Sequence, residues 1–168
     1  MNKYNIQGFG LIEIIITLTI IGILTLVAIP SFITQIKNYR LSATAENLYY
    51  ALQYARTEAI KRNATIYVSF TTGDNWCYGI NVGSACNCTV PANCGLGTTS
   101  ASATQTLTLS TSGYSGGSVY FEGSHGAANA SGSLTFTLYQ QTSLIKISIG
   151  TLGNLQLCST GISGYTGC

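Results

Sequence analysis

From Phe9 to Ile29 the chain runs 21 residues with a single charge, Glu13, near the start. As a helix rising about 1.5 Å per residue, such a run spans roughly 30 Å, the thickness of a bilayer's hydrocarbon core. A carboxylate placed in lipid costs about 2.5 to 3.5 kcal/mol on insertion scales, so an acid in such a segment is functional by default. Glu13 therefore needs a partner, and the rest of the sequence has to supply it.

The 168 residues leave room for one domain beside that extended element. Only 7% of residues are charged, against about a quarter in ordinary domains. Nine of the twelve charged side chains lie in residues 1–62, leaving Asp74, Glu122 and Lys146 for everything beyond. A net charge of +2 makes no electrostatic case for nucleic acid, because proteins that grip phosphates neutralise several at once. All six cysteines fall after residue 76. In a small, nearly uncharged body this predicts an oxidised domain outside the cytoplasm, held by disulfides. Zinc fits poorly: Cys86, Cys88 and Cys94 lack paired CxxC spacing, and the single histidine, His125, is distant in sequence.

The polar stretch MNKYNIQG precedes the apolar run. A secretory signal would place a small-x-small cleavage site after its apolar region, and TLVAIPSF offers none. Lys3 lies before the run and Lys37 and Arg40 after it, so charge does not orient the segment. The cysteines do, by requiring the C-terminal body to lie outside.

GFGLIEI, residues 8–14, resembles the prepilin cleavage and methylation motif of type IV pilins and type II secretion pseudopilins. Gly10 and Ile14 depart mildly from its commonest residues, Thr and Leu. The resemblance implies that a prepilin peptidase cuts after Gly8 and methylates the new amine of Phe9. Glu13 would then lie four residues from that amine, on the same helix face. A neighbouring subunit's amine brought to Glu13 would form a pair in low dielectric that rewards correct register.

Pro30 removes a backbone donor from the helical pattern and, with Gly22, predicts a kinked or weakened stretch of stem. Beyond it Leu41, Ala45, Leu48, Leu52, Ala55 and Ala59 recur at spacings of 4, 3, 4, 3 and 4, the mark of an amphipathic helix. Arg56, Lys61 and Arg62 complement its C-terminal dipole, and Asn63 is the expected stop. Tyr39, Tyr49, Tyr50 and Tyr54 are read as packing or subunit-facing residues rather than a stacking platform for bases. From Ala64 the period changes to two, with seven short segments such as TIYVSF, LTFTLYQ and LIKISIG separated by glycine-rich turns. The expected fold is α+β and pilin-like: a long N-terminal helix, transmembrane then amphipathic, packed on an all-antiparallel β-sandwich head with disulfides. Its parts are a cleaved leader over 1–8, a helical stem over 9–63 (transmembrane over 9–29) and a β head over 64–168. ENLYYALQYARTEAIKRN running into β-structure is similar to the GspH/FimT family, which comprises H-type pseudopilins and FimT/FimU-type minor pilins.

Cys77, Cys86, Cys88 and Cys94 crowd into 18 residues. Cys86 and Cys88 are too close in sequence to bridge each other, and the other pairings among the four stay open. Cys158 and Cys168 enclose nine residues and are expected to pair, tying down the C-terminus and presenting Ile162 and Tyr165 outward. The tail from Leu157 to Cys168 has neither Lys nor Arg, which argues against a DNA-capturing minor pilin for natural transformation. No catalytic constellation, P-loop or dinucleotide fingerprint is present. His125 is read as an exposed loop residue, and neither a metal nor a cofactor is called for.

The expectation is a single-pass protein of the bacterial inner membrane with its head in the periplasm, incorporated into a filament. Its partners would be other pilin or pseudopilin subunits and the prepilin peptidase. A minor pilin of a type IV pilus tip or initiation complex is the first reading, and the H-type pseudopilin of a type II secretion system the second.

Overall fold

Helix α1 runs from Leu11 to Arg62, 52 residues, in a computed structural model that describes residues 10–101, 106–114, 116–139 and 142–168. Gly8 and Phe9 lie outside the described residues. The described residues fall into two units that divide between Lys37 and Asn38.

In the first unit the helix is apolar on every side. Ile14, Ile15 and Ile16 are successive residues, pointing about 100° apart, and each is about half exposed (50%, 49% and 51%). The threonines within this stretch do not interrupt its apolar character, because their hydroxyls donate back to the helix. Thr17 donates to the Ile14 carbonyl at 2.9 Å, Thr19 to Ile16 at 2.8 Å and Thr25 to Gly22 at 2.9 Å. Such internal satisfaction is what lets a hydroxyl sit where no water is present. Pro30 falls inside α1; having no N–H, it leaves the carbonyl of Leu26 without its helical donor.

The second unit holds the rest of α1 and all nine described strands. These are β1 (Ile66–Thr71), β2 (Cys77–Val82), β3 (Gly97–Ser100), β4 (Leu107–Ser112), β5 (Ser118–Phe121), β6 (Gly132–Leu138), β7 (Leu144–Ile149), β8 (Leu155–Thr160) and β9 (Thr166–Gly167). They form a four-stranded sheet in the order β3-β2-β1-β5 and a five-stranded sheet in the order β4-β6-β7-β8-β9. A backbone bridge between Gly73 and Leu109 links the two.

One hydrophobic core serves both sheets and the helix. Leu41, Ala45, Leu48, Leu52, Ala55 and Ala59, the six stripe positions, are all fully buried. Against them lie the inward residues of alternating strands: Leu134, Phe136 and Leu138 on β6, and Ile145, Ile147 and Ile149 on β7. Each such large side chain removed from water contributes about 1.5 to 3 kcal/mol. Trp76 is buried in this core, in edge contact with Phe136 at 5.0 Å between ring centroids.

The helix stops where its backbone turns left-handed at Asn63, φ 47°. Asn63 N–H donates to the Ile60 carbonyl and Ala64 N–H to that of Ala59, a Schellman closure. Glu58, on the last turns, accepts from both Arg62 and Lys61. The Arg62 hydrogen bond first, and the Lys61 bond next, hold its carboxyl below the usual carboxylate range.

Three expectations change at the head. Nine strands are described, not seven: β3 (GTTS) is wholly exposed and β9 is two residues long, so neither carries an apolar alternation. The sheets are antiparallel except at one place, where β9 runs parallel to β8, pairing Cys158 with Thr166 and Ser159 with Gly167. The turn at Gly161 to Tyr165 crosses back over the sheet edge, and the disulfide draws Cys168 to within 5.0 Å (Cα–Cα) of Cys158. Ile162 and Tyr165 also do not face outward: both are partly buried and pack against the main core.

Candidate functional site

Three regions of the chain hold the candidate residues. On the stem, Glu13 occupies the first turn of α1, following N–H donation by Glu13 itself to Gly10 at 3.0 Å. A negative charge there complements the positive end of the helix dipole. The ion pairs seen among the described residues are Lys61 and Arg62 with Glu58, so Glu13 has none within them. Gly22 lies in open surroundings, where an added Cβ would meet nothing within 4 Å. An apolar helix uncovered around its whole circumference is stable against two environments, lipid or other apolar helices.

At the far end of α1 the basic residues are committed to structure. Arg56 Nε donates to the Gly126 carbonyl at 3.1 Å and its terminal nitrogen to the Leu152 carbonyl at 3.3 Å. The guanidinium thus clasps two loops, after β5 and after β7. Gly153 is required at this clasp: its φ is +76°, and a Cβ would come within 2.0 Å of the Gly126 oxygen. With Lys61 and Arg62 held by Glu58, the three cations do not form a fork for phosphate. Of the four tyrosines, Tyr39, Tyr50 and Tyr54 are exposed, while Tyr49 is half-buried and accepts from Gln53.

All six cysteines are described and bonded: Cys77 with Cys88, Cys86 with Cys94, and Cys158 with Cys168. The first bond ties the start of β2 to the loop that follows it and the second closes within that loop, which presses so closely on β2 that a Cβ at Gly79 would lie 2.3 Å from Cys94 Sγ. The third closes the tail. There Ser159 donates to the Ile162 carbonyl at 2.8 Å, and the Tyr165 hydroxyl donates to the Glu46 carboxylate on α1. Burial, and then the Glu46 contact, raise the Tyr165 phenol above its ordinary range. Neither the Arg56 clasp nor the Glu46–Tyr165 contact was visible from sequence spacing, since the partners lie 70 and 119 residues apart. His125 is exposed in its loop. Among the described residues no group of three or more His, Cys, Asp or Glu side chains is placed to hold a metal.

The family model described as Type II transport protein GspH matches residues 44–153, and that of the prokaryotic N-terminal methylation motif matches residues 3–29. The chain belongs to the GspH family. This GspH-family chain is also similar in structure to the type IV minor pilin FimU of Pseudomonas aeruginosa (strain PAO1) in two crystal forms. In the first the TM-score is 0.53 at 21% identity, covering 71% of this chain and 88% of that one. In the second it is 0.54 at 22% identity, covering 70% and 91%. No curated protein sequence matches the chain. The family is one of pilin-type structural proteins, not enzymes. The chain is thus a GspH-family protein that carries the prokaryotic N-terminal methylation motif, the mark of prepilin processing. Its methylation motif and apolar N-terminal helix are consistent with a membrane-anchored pilin. The family implies assembly with other pilins and processing by prepilin peptidase.

Proposed function

We propose that the chain is a minor pilin, a structural subunit of a type IV pilus tip or initiation complex. Prepilin peptidase cleaves it after Gly8 and methylates Phe9. Residues 9–29 hold the processed chain in the bacterial inner membrane as a single span, with the disulfide-bonded head, 64–168, in the periplasm. On assembly the stem exchanges lipid for neighbouring stems, and Glu13 pairs with the methylated amine of an adjacent subunit. Gly22 and Pro30 mark where the stem yields as it packs.

The observation that carries this reading is the stem itself, apolar on all sides with one acid in its first turn. The choice of a pilus is supported by the likeness of the fold to FimU. A second reading, the H-type pseudopilin of a type II secretion system, is supported by the description of the matching family. A DNA-capturing role has little support, because the tail is without Lys or Arg, Arg56 is bonded to loop carbonyls of the head, and Lys61 and Arg62 pair with Glu58 on α1.

The test is to shear surface filaments from cells that express the chain and analyse them by mass spectrometry. The expected result is a species comprising residues 9–168 plus one methyl group, less six hydrogens, recovered with pili. A chain still beginning at Met1 would overturn the processing. A chain absent from pili, whose deletion abolishes protein secretion and leaves piliation intact, would replace the pilus by the pseudopilus.

A further inference from the structure

Strand β3 is an edge of the four-stranded sheet, with no further strand beside it among the described residues. Ala101 N–H donates to the Trp76 carbonyl, and Tyr78 pairs with Thr99. The N–H and C=O groups of Thr98 and Ser100 therefore point away from β2. Among the described residues they have no backbone partner. Exposed edges are often guarded by lysine or proline, and Gly97-Thr98-Thr99-Ser100 carries neither; the irregularity at its start, where Leu96 N–H donates to the Ile80 carbonyl that Gly97 faces, precedes the outward groups.

Two clefts flank this edge, one on each face of the sheet. A cleft of about 420 Å³ lies between Tyr50 and Tyr54 of α1 and Tyr78, Ile80 and Thr99, which share the inner face. The second, of about 510 Å³, is bordered by Cys77, Cys88, Thr98 and Ser100 on the outer face, with Trp76 at its end. The Trp76 Nε1–H is buried and has no hydrogen-bond partner among the described residues. Neither cleft is lined by a charged side chain.

An added strand turns successive side chains to opposite faces. A strand laid along β3 would bond the outward groups of Thr98 and Ser100 and send alternate side chains into the two clefts. That is how edge recognition combines backbone affinity with side-chain selectivity. The neutral lining matches an uncharged segment, since a charged side chain entering either cleft would lose water without gaining a partner. We infer that the β3 edge, with its flanking clefts, is a docking site for an extended, uncharged strand of a neighbouring filament subunit. This deepens the assembly reading above and rests on it: a chain held beside its neighbours by the stem meets such a strand at high effective concentration.

The experiment compares amide hydrogen exchange of the full processed chain in detergent micelles and in sheared filaments. The Thr98 and Ser100 amides are expected to exchange at least roughly tenfold more slowly in filaments, while that of Thr99, already bonded to β2, changes little. Ser100→Pro, which deletes an outward N–H that β2 does not use, is expected to lower recovery in filaments by roughly tenfold, with Ser100→Ala close to wild type. Unchanged disulfides and unfolding midpoint confirm that the variant folds. A chain recovered in filaments with Thr98 and Ser100 exchanging as in detergent overturns the docking site alone. Normal incorporation of a folded Ser100→Pro chain does the same. A chain that never enters filaments overturns the assembly reading and this site with it.

Discussion

Replacing Arg56 by methionine tests whether this cation is structural or belongs to a binding surface. The substitution keeps most of the aliphatic reach beside Gly126 and removes only the charged donors. The Nε bond to the Gly126 carbonyl is partly buried, and a hydrogen bond to a charged group is worth about 1.5 to 3 kcal/mol. The Leu152 bond is exposed and longer, 3.3 Å, and contributes well under about 1 kcal/mol. The sum is a loss of about 2 to 3 kcal/mol, or roughly 6 to 12 °C in unfolding midpoint for a head of this size. Arg56→Lys should fall between, because one ammonium does not reproduce the two-armed fork. Thermal unfolding of the oxidised full chain in detergent, followed by near-ultraviolet circular dichroism, supplies the measurement. If Arg56→Met and wild type unfold within about 0.5 kcal/mol of each other, the clasp is not what holds the loops after β5 and β7.

Glu13→Gln should leave the chain membrane-inserted and folded but reduce its recovery in sheared filaments by roughly tenfold, since a neutral amide does not pair with an amine in low dielectric; equal recovery would remove the register role. Cys168→Ser opens the tail loop, a loss of about 3 kcal/mol by loop closure, and should expose Tyr165 to chymotrypsin, whereas cleavage at the wild-type rate would mean that Glu46 and the core hold the tail unaided. Burial raises the Tyr114 phenol to about 12 from its ordinary value of 10.0. The folded chain thus retains that proton longer than the unfolded one, so its contribution is complete below pH 10 and is lost as pH rises toward 12. Ultraviolet titration should show late-ionising tyrosine absorbance, from which Tyr114→Phe removes one equivalent at the alkaline end; no change in the titration curve would count against its burial.

Much of this molecule is written in one-dimensional periods. The stripe from Leu41 to Ala59 states a helix and its buried face, and alternation in LTFTLYQ and LIKISIG states two strands and their inner sides, because those repeats depend only on backbone geometry. The apolar run with its one acid states a helix of membrane-spanning length. Asn63 likewise announced the end of the helix, which the backbone makes by turning left-handed there. Tertiary structure decided what lies far apart in sequence or has no period. Cysteine spacing left the interlocked pairs Cys77–Cys88 and Cys86–Cys94 open, because pairing depends on where the loop meets β2. GTTS became an edge strand only because β2 offered it a partner. Arg56 found its carbonyls 70 and 96 residues away, and Tyr165 turned inward because Glu46 and the core were there to receive it. Local sequence sets which face of an element avoids water; only the packed chain sets which distant backbone groups, charges and edges come to meet.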